Sequence, residues 1–282
     1  STLLRTQVRC LMARPTLAQL DFDALAHNLG VARSLAPNAK VMAVIKANAY
    51  GHGAITIARA LHNKVDALAV ACIEEALELR RAGVDAPILL LEGVFAAIEL
   101  MAASEQDLWV TVESQAHGEM LEKARLARPV SCWLKVNTGM NRLGVTVAEA
   151  EQCFARLAAC DNVAPGTVLS THFACADDPD SPLTQQQLDA FNSLDIDAPR
   201  SAANSAGVLA WPDSHFDWVR PGYMLYGNSP MLAPHPNAQT LRPVMSLKAS
   251  IISLRDVAPG QSVGYGATWT AQRPSRIATL CI

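Results

Sequence analysis

Apolar, β-branched runs recur at fairly even intervals along this chain, and no other feature limits its possible folds so strongly. They read KVMAVIKA (40–47), VDALAVAC (65–72), PILLLEG (87–93), LWVTVE (108–113), VSCWLKVN (130–137), GTVLSTHF (166–173), RSAANS (200–205) and DWVRPGYMLYG (217–227). Between most of them lie segments with apolar residues at three- and four-residue spacing, such as DALAHNLGVARSLA, IEEALELRRAG, QAHGEMLEKARLA and VAEAEQCFARLAAC. Gly83, after ELRRA, has the place of a helix C-terminal glycine, with Arg80 and Arg81 in the last turn, where the helix dipole favours cations. Continuous apolar strands alternating with helices predict a parallel sheet covered on its outer side. Eight of them predict a closed (β/α)8 TIM barrel rather than an open sheet. RSAANS is the least apolar of the eight.

After about residue 240 the pattern changes. VMSLKASIISLRDV alternates apolar with polar, APGQSVGYGATW is rich in turn residues, and RIATLCI is a further strand with no helix between. That is the start of a mainly antiparallel β domain. The expected organisation is therefore an N-terminal extension (1–12), the barrel (13–240) and the beginning of a C-terminal β domain (241–282). The last strand has no partner following it, so a sheet ending there would have an open edge.

Composition narrows the function. With 50% hydrophobic and 17% charged residues there is material for a large core, and a net charge of -3 gives no footprint for nucleic acid or an anionic membrane. No apolar run approaches the length of a membrane span. The 7 cysteines show no CxxC or Cys/His zinc spacing. A reducing, cytoplasmic setting is the simpler expectation.

Active sites of such barrels form where strands exit into the following loops. Those exits carry Lys46, Glu92, Lys135 with Asn137, His172, Asn204 with Ser205, and Arg220 with Tyr226. The set has no paired carboxylates of the glycosidase kind. It also lacks the HxH pair and aspartate of a barrel metal hydrolase, so no catalytic metal is expected. An amine in an apolar barrel mouth is disfavoured in its charged form, and a free amine is the nucleophile for Schiff-base chemistry with an aldehyde. Asn204, Ser205 and the backbone of Gly222 and Tyr223 suit a phosphate. An aldehyde-binding lysine facing a phosphate cradle suits pyridoxal 5'-phosphate (PLP). Taken singly, each residue also has a plainer reading. Lys46 is then a solvated strand-end charge, His52 in GHG a helix cap, Lys135 a carboxylate's partner, His172 a satisfied core histidine, and Arg220 a structural charge.

The motifs VIKANAYGHG (44–53), LKVNTGMNRLGV (134–145), STHFACAD (170–177), ANSAG (203–207), DWVRPGYMLYG (217–227) and VGYGATW (263–269) together resemble bacterial alanine racemase, from about Ala13 to the end of the chain. The resemblance implies an enzyme that interconverts L-alanine and D-alanine with two bases, supplying D-alanine for peptidoglycan or serving alanine catabolism. Lys46 would hold PLP covalently and act as one base, and Tyr50 would lie near the phosphate. Arg142 would stabilise the cofactor's phenolic oxygen or the substrate carboxylate. Lys135, often carbamylated in the family, would position that arginine. Asn204, Ser205, Gly222 and Tyr223 would hold the phosphate. Arg220, supported by His172, would face the ring nitrogen, and Tyr265 would be the second base, delivered by the partner subunit of a homodimer. Racemisation needs a proton removed on one face and returned on the other, so two bases are a natural solution.

Ser201 stands where some members carry histidine. The family's pattern also runs on past a strand like RIATLCI, implying that most of the β domain is absent or arrives as a separate C-terminal fragment. The alternatives are an inactive fragment and a non-catalytic PLP-binding barrel. Carriers of that second kind are single barrels, so SVGYGATW favours the racemase. A barrel-type PLP decarboxylase would use a cysteine and a carboxylate at the ring nitrogen, against which Arg220 argues.

Overall fold

A computed structural model of the chain describes residues 15–282. The expected 1–12 extension and Cys10 lie outside the described residues. By internal contacts the described residues divide into two units, Asp21–Val244 and a second one that joins residues 15–20 to Met245–Ile282.

The first unit is the barrel foreseen from the sequence. Its strands are β1 (Lys40–Val44), β2 (Ala67–Val70), β3 (Ile88–Leu90), β4 (Leu108–Val112), β5 (Cys132–Asn137), β6 (Val168–Ser170), β7 (Arg200–Ser201) and β8 (Trp218–Val219). Neighbours pair in parallel in sequence order, and β8 returns to β1 through Trp218 opposite Lys40, which closes the cylinder. Closure explains why the runs are continuously apolar: one face fills the interior and the other meets the helices. Every residue of β2 and β3 is buried. Within the barrel, Met42 and Val44, Ala67 and Ala69, Leu89, Trp133, Val168 and Trp218 form one cluster. The alanines of β2 leave the room that the indoles of Trp109, Trp133 and Trp218 occupy, with ring centroids 6.3, 5.8 and 5.5 Å apart pairwise.

The four amphipathic segments form helices Phe22–Leu35, Ile73–Arg81, Gln115–Lys123 and Val147–Ala158. The first starts where Asp21 accepts from the Ala24 N–H at 2.9 Å, and Gly83 takes its left-handed place (φ 80°) beyond the second. The seventh and eighth strands are short for stated reasons. The Arg200 guanidinium donates to the carbonyls of Phe191, Leu194 and Ile196, so side-chain bonds hold β7 where the ladder is brief. Pro221 has no N–H for the ladder after β8, although its carbonyl still accepts from the Val44 N–H at 2.9 Å. The chain then tightens into a 3-10 turn, Tyr223–Tyr226.

The second unit is antiparallel, as the alternating pattern foretold. Thr16–Leu20 pairs with Met245–Ala249, Ile251–Val257 with Ser275–Leu280, and Ser262–Val263 with Trp269–Thr270. The pairing of Thr16–Leu20 across more than two hundred residues leaves no mark in the local pattern. No described helix is long and apolar enough to cross a membrane.

Candidate active site

The backbone leaving β1 is unusual. Ile45 still donates to the Ala69 carbonyl at 2.8 Å, and Lys46 follows it. Ala47, Asn48, Ala49 and Tyr50 then all have positive φ, between 51° and 54°. Only asparagine among them tolerates that region with ease, and each Cβ there costs about 1–2 kcal/mol. The turn is therefore held from outside. The Ala47 N–H donates to Glu75 Oε1 at 2.6 Å, and Asn48 Oδ1 accepts from the Ala54 N–H at 2.8 Å. His52 Nδ1 lies 3.1 Å from the carbonyls of Ala49 and Tyr50, and its ring packs 4.5 Å from that of Tyr226. His52 thus braces the turn, while the helix Ala54–Leu61 that follows starts at Gly53 without a side-chain cap.

Opposite, the exits of β7 and β8 meet. Asn204 caps the helix Ser205–Ala210, accepting from the Gly207 N–H at 2.9 Å. Ser205 Oγ accepts from the N–H groups of Gly222 (2.9 Å) and Met224 (3.2 Å). A Cβ on Gly222 would lie 2.8 Å from Tyr50 Oη, so glycine lets the Tyr50 hydroxyl settle against this backbone. Burial raises the Tyr50 phenol above its ordinary range. Tyr226, grouped with the exits from sequence, is a packing residue: its buried hydroxyl donates to the Val44 carbonyl at 3.2 Å.

Arg220 is buried at the barrel mouth. Its guanidinium donates to the carbonyls of Thr171 and Ala202, to Ser201 Oγ and to His172 Nδ1. None of these bonds uses the Nε–H. A guanidinium only donates, so His172 Nδ1 accepts and the imidazole is neutral. Burial, with Arg220 and Lys135 nearby, holds the imidazole well below its usual value and in agreement with that assignment. Ser201 Oγ in turn donates to the Trp218 carbonyl at 2.9 Å, so Ser201 is bonded on both sides. Lys135, on β5, is lowered to about 8 by burial and by the neighbouring cations Arg220 and Arg142, with Glu113 opposing. Arg142 sits beyond a loop that Asn137 organises, its Oδ1 accepting from the N–H groups of Gly139 and Asn141. Asn137 is thus a loop-shaping residue. Gly144 closes the loop, where a Cβ would approach the Asn137 nitrogen to 2.8 Å.

Lys46, Tyr50, Lys135, Arg142, His172, Asn204, Ser205, Arg220, Gly222 and Tyr223 all line one cavity of about 730 Å³. Tyr265 belongs to the second unit, where its side chain is fully exposed. Glu92, at the β3 exit, also lines the cavity, and so does Glu113, which the reading of the exits passed over. Glu113 follows the last residue of β4 as Glu92 nearly follows that of β3, so the strand-exit rule alone was enough to find it. Burial pushes its carboxyl up, opposed by His117 and Lys135 and assisted by Glu92, and its Oε2 has no hydrogen-bond partner among the described residues.

Residues 20–230 match the alanine racemase N-terminal domain, and residues 244–282 match the alanine racemase C-terminal domain. The chain belongs to the alanine racemase family. An alanine racemase of Shewanella sp. (strain MR-4) is 48% identical over 267 residues, covering 94% of this chain and 74% of the relative. The biosynthetic alanine racemase of Pseudomonas aeruginosa is 48% identical over 95% of this chain and 75% of its own length, and the catabolic alanine racemase of Pseudomonas putida is 46% identical with the same coverage. The crystal structure of the Pseudomonas aeruginosa biosynthetic enzyme superposes with a TM-score of 0.86 at 47% identity, covering 95% of this chain and 75% of that one. The alanine racemase of Acinetobacter baumannii gives 0.85 at 39%.

Alanine racemases depend on PLP, and the side chains present suit that group. The cavity offers an amine at one strand exit, hydroxyl and amide groups beside a helix start at another, and a buried guanidinium whose bonds among the described residues do not use the Nε–H. The absence of a Cβ at Gly222 lets the Tyr50 hydroxyl sit against the backbone there.

Proposed function

We propose that the cavity of this alanine racemase family member binds PLP through Lys46 and interconverts L-alanine and D-alanine, with Lys46 and Tyr265 as the two bases. The observation that carries the reading is the meeting of Lys46, Arg220 and the Asn204–Ser205 helix start in one cavity. When bound, PLP acts as an electron sink that makes the amino acid's α-hydrogen acidic. The Lys46 amine takes or returns the proton on one face of Cα, and the Tyr265 hydroxyl serves the other face. Asn204, Ser205, Tyr50 and the backbone at Gly222 and Tyr223 hold the phosphate. Arg220, braced by His172 and Ser201, presents a fixed cation to the ring nitrogen, keeping it unprotonated and weakening the sink. In that way Arg220 would limit side reactions. Arg142 orients the substrate carboxylate or the cofactor's phenolic oxygen. Lys135, with its lowered basicity, is the amine in this cavity suited to carbamylation, and as a carbamate it would position Arg142.

The working unit in this reading is a homodimer with composite sites, Tyr265 reaching the cavity of the other subunit. Its full exposure leaves the hydroxyl unengaged within its own unit. The match of residues 244–282 to the C-terminal domain goes against a lone-barrel carrier. The described cysteines are all free, which suits a cytoplasmic setting.

A coupled assay with D-amino-acid oxidase tests the roles. Lys46→Ala and Tyr265→Phe should each lower L-to-D conversion by at least about a hundredfold, the usual contribution of a positioned acid or base. Mixing the two variants should restore about a quarter of the wild-type rate, since half of randomly formed dimers then carry one intact composite site. Wild-type conversion by Tyr265→Phe would end the two-base assignment, and no recovery on mixing would end the composite one.

A further inference from the structure

The left-handed turn after Lys46 has an anchor that lies on another strand exit. Glu75 occupies the first turn of the helix Ile73–Arg81, where a glutamate commonly folds back on its own helix start. Here its carboxylate spans two segments. Oε2 accepts from the Ala71 N–H at 2.8 Å, at the exit of β2, while Oε1 accepts from the Ala47 N–H at 2.6 Å, one residue past Lys46. Both bonds are charge-assisted, the stronger class of hydrogen bond. They tie the exit of β1 to its neighbour at the point where four consecutive non-glycine residues hold positive φ. A run of that kind persists only when its surroundings enforce it.

We propose that Glu75 is a positioning residue for the reaction: its carboxylate holds the left-handed turn and thereby fixes where the Lys46 amine and the Tyr50 hydroxyl stand in the cavity. Glu75 does not line that cavity and touches none of the reacting groups. Its influence passes through the backbone. Without the bond to Ala47, the turn can relax toward right-handed geometry, which swings Lys46 and Tyr50 away from Ser205 and Gly222. The proposal rests on the reading of Lys46 as the cofactor anchor.

Glu75→Gln keeps the shape and one acceptor but turns an NH2 group toward one of the two N–H donors. In the full chain it should weaken PLP binding, followed by the visible absorbance of the bound cofactor, roughly tenfold to a hundredfold, the loss expected for one charge-assisted bond. It should lower kcat as well. Ala47→Gly, which removes the Cβ from a left-handed position, should recover much of the loss when added to Glu75→Gln. A merely structural glutamate predicts otherwise: a lower melting temperature, with cofactor affinity and kcat of the folded fraction unchanged. That result overturns the proposal, and so does a loss that Ala47→Gly leaves in place. Borohydride trapping in the wild type separates the two readings. A label on any residue but Lys46 overturns the anchor assignment, whereas a label on Lys46 with unaltered Glu75→Gln overturns the clamp alone.

Discussion

At the N-terminal end of the barrel, Trp109, Trp133 and Trp218 fill the interior, and Lys40 Nζ rests 5.2 Å over the Trp218 ring. At the C-terminal end the same cylinder carries Lys135, His172, Arg220 and Glu113 around an open cavity. The first end is built mainly of apolar and aromatic contact. The second keeps buried charges, a lowered lysine, a carboxylate oxygen with no partner among the described residues and a strained turn. One set of strands therefore serves two ends with opposite demands, stability at the floor and chemistry at the mouth. Substitutions at the floor should cost stability and leave turnover alone, and those at the mouth should do the reverse.

The largest effect should come from the floor. Trp133→Ala removes a buried indole from the centre of the tryptophan group and should lower unfolding stability by about 3–5 kcal/mol in denaturant titration. The kcat of its folded fraction should stay within about twofold of wild type, since the indole is not among the residues that line the cavity. A selective loss of kcat would break the contrast.

Lys135 should show the opposite sign. Its ammonium is disfavoured in the folded chain, where the amine is lowered to about 8, so the unfolded chain binds the proton more tightly. Below about pH 8 both states are protonated and the fold bears the full penalty. As pH rises from about 8 toward the ordinary lysine value near 10.5, folding stability should climb, by up to about 3 kcal/mol. Lys135→Met, in CO2-free buffer, should flatten that rise and be the more stable protein at pH 7. An identical pH profile in the two proteins would mean that the amine is not buried in this way.

Tyr226→Phe should have the smallest effect. It removes the hydroxyl that donates to Val44 and should cost about 1 kcal/mol, with kcat unchanged. A large loss of kcat would move Tyr226 from packing to chemistry.

The sequence revealed the floor and the mouth unequally. All eight barrel strands were readable, because burial on both faces makes each a continuous apolar run, and even RSAANS was found by its place in the rhythm. The cavity set was readable because barrel chemistry gathers at strand exits. Three features were not. Glu113 was passed over beside the conspicuous LWVTV run. The left-handed turn at Ala47–Tyr50 left no mark, since alanine and tyrosine signal no positive φ and the turn is imposed by Glu75 from another strand exit. The pairing of Thr16–Leu20 with Met245–Ala249 joins distant segments whose local patterns do not refer to each other.

The central claim is that the lysine leaving β1 holds the cofactor. Reducing the PLP-loaded protein with borohydride and mapping the modified peptide tests it most directly. A single pyridoxyl group is expected on Lys46, within AVIKANAYGHG, and none after Lys46→Ala. A label on Lys135 or on a surface lysine, or an undiminished label in the variant, would contradict it.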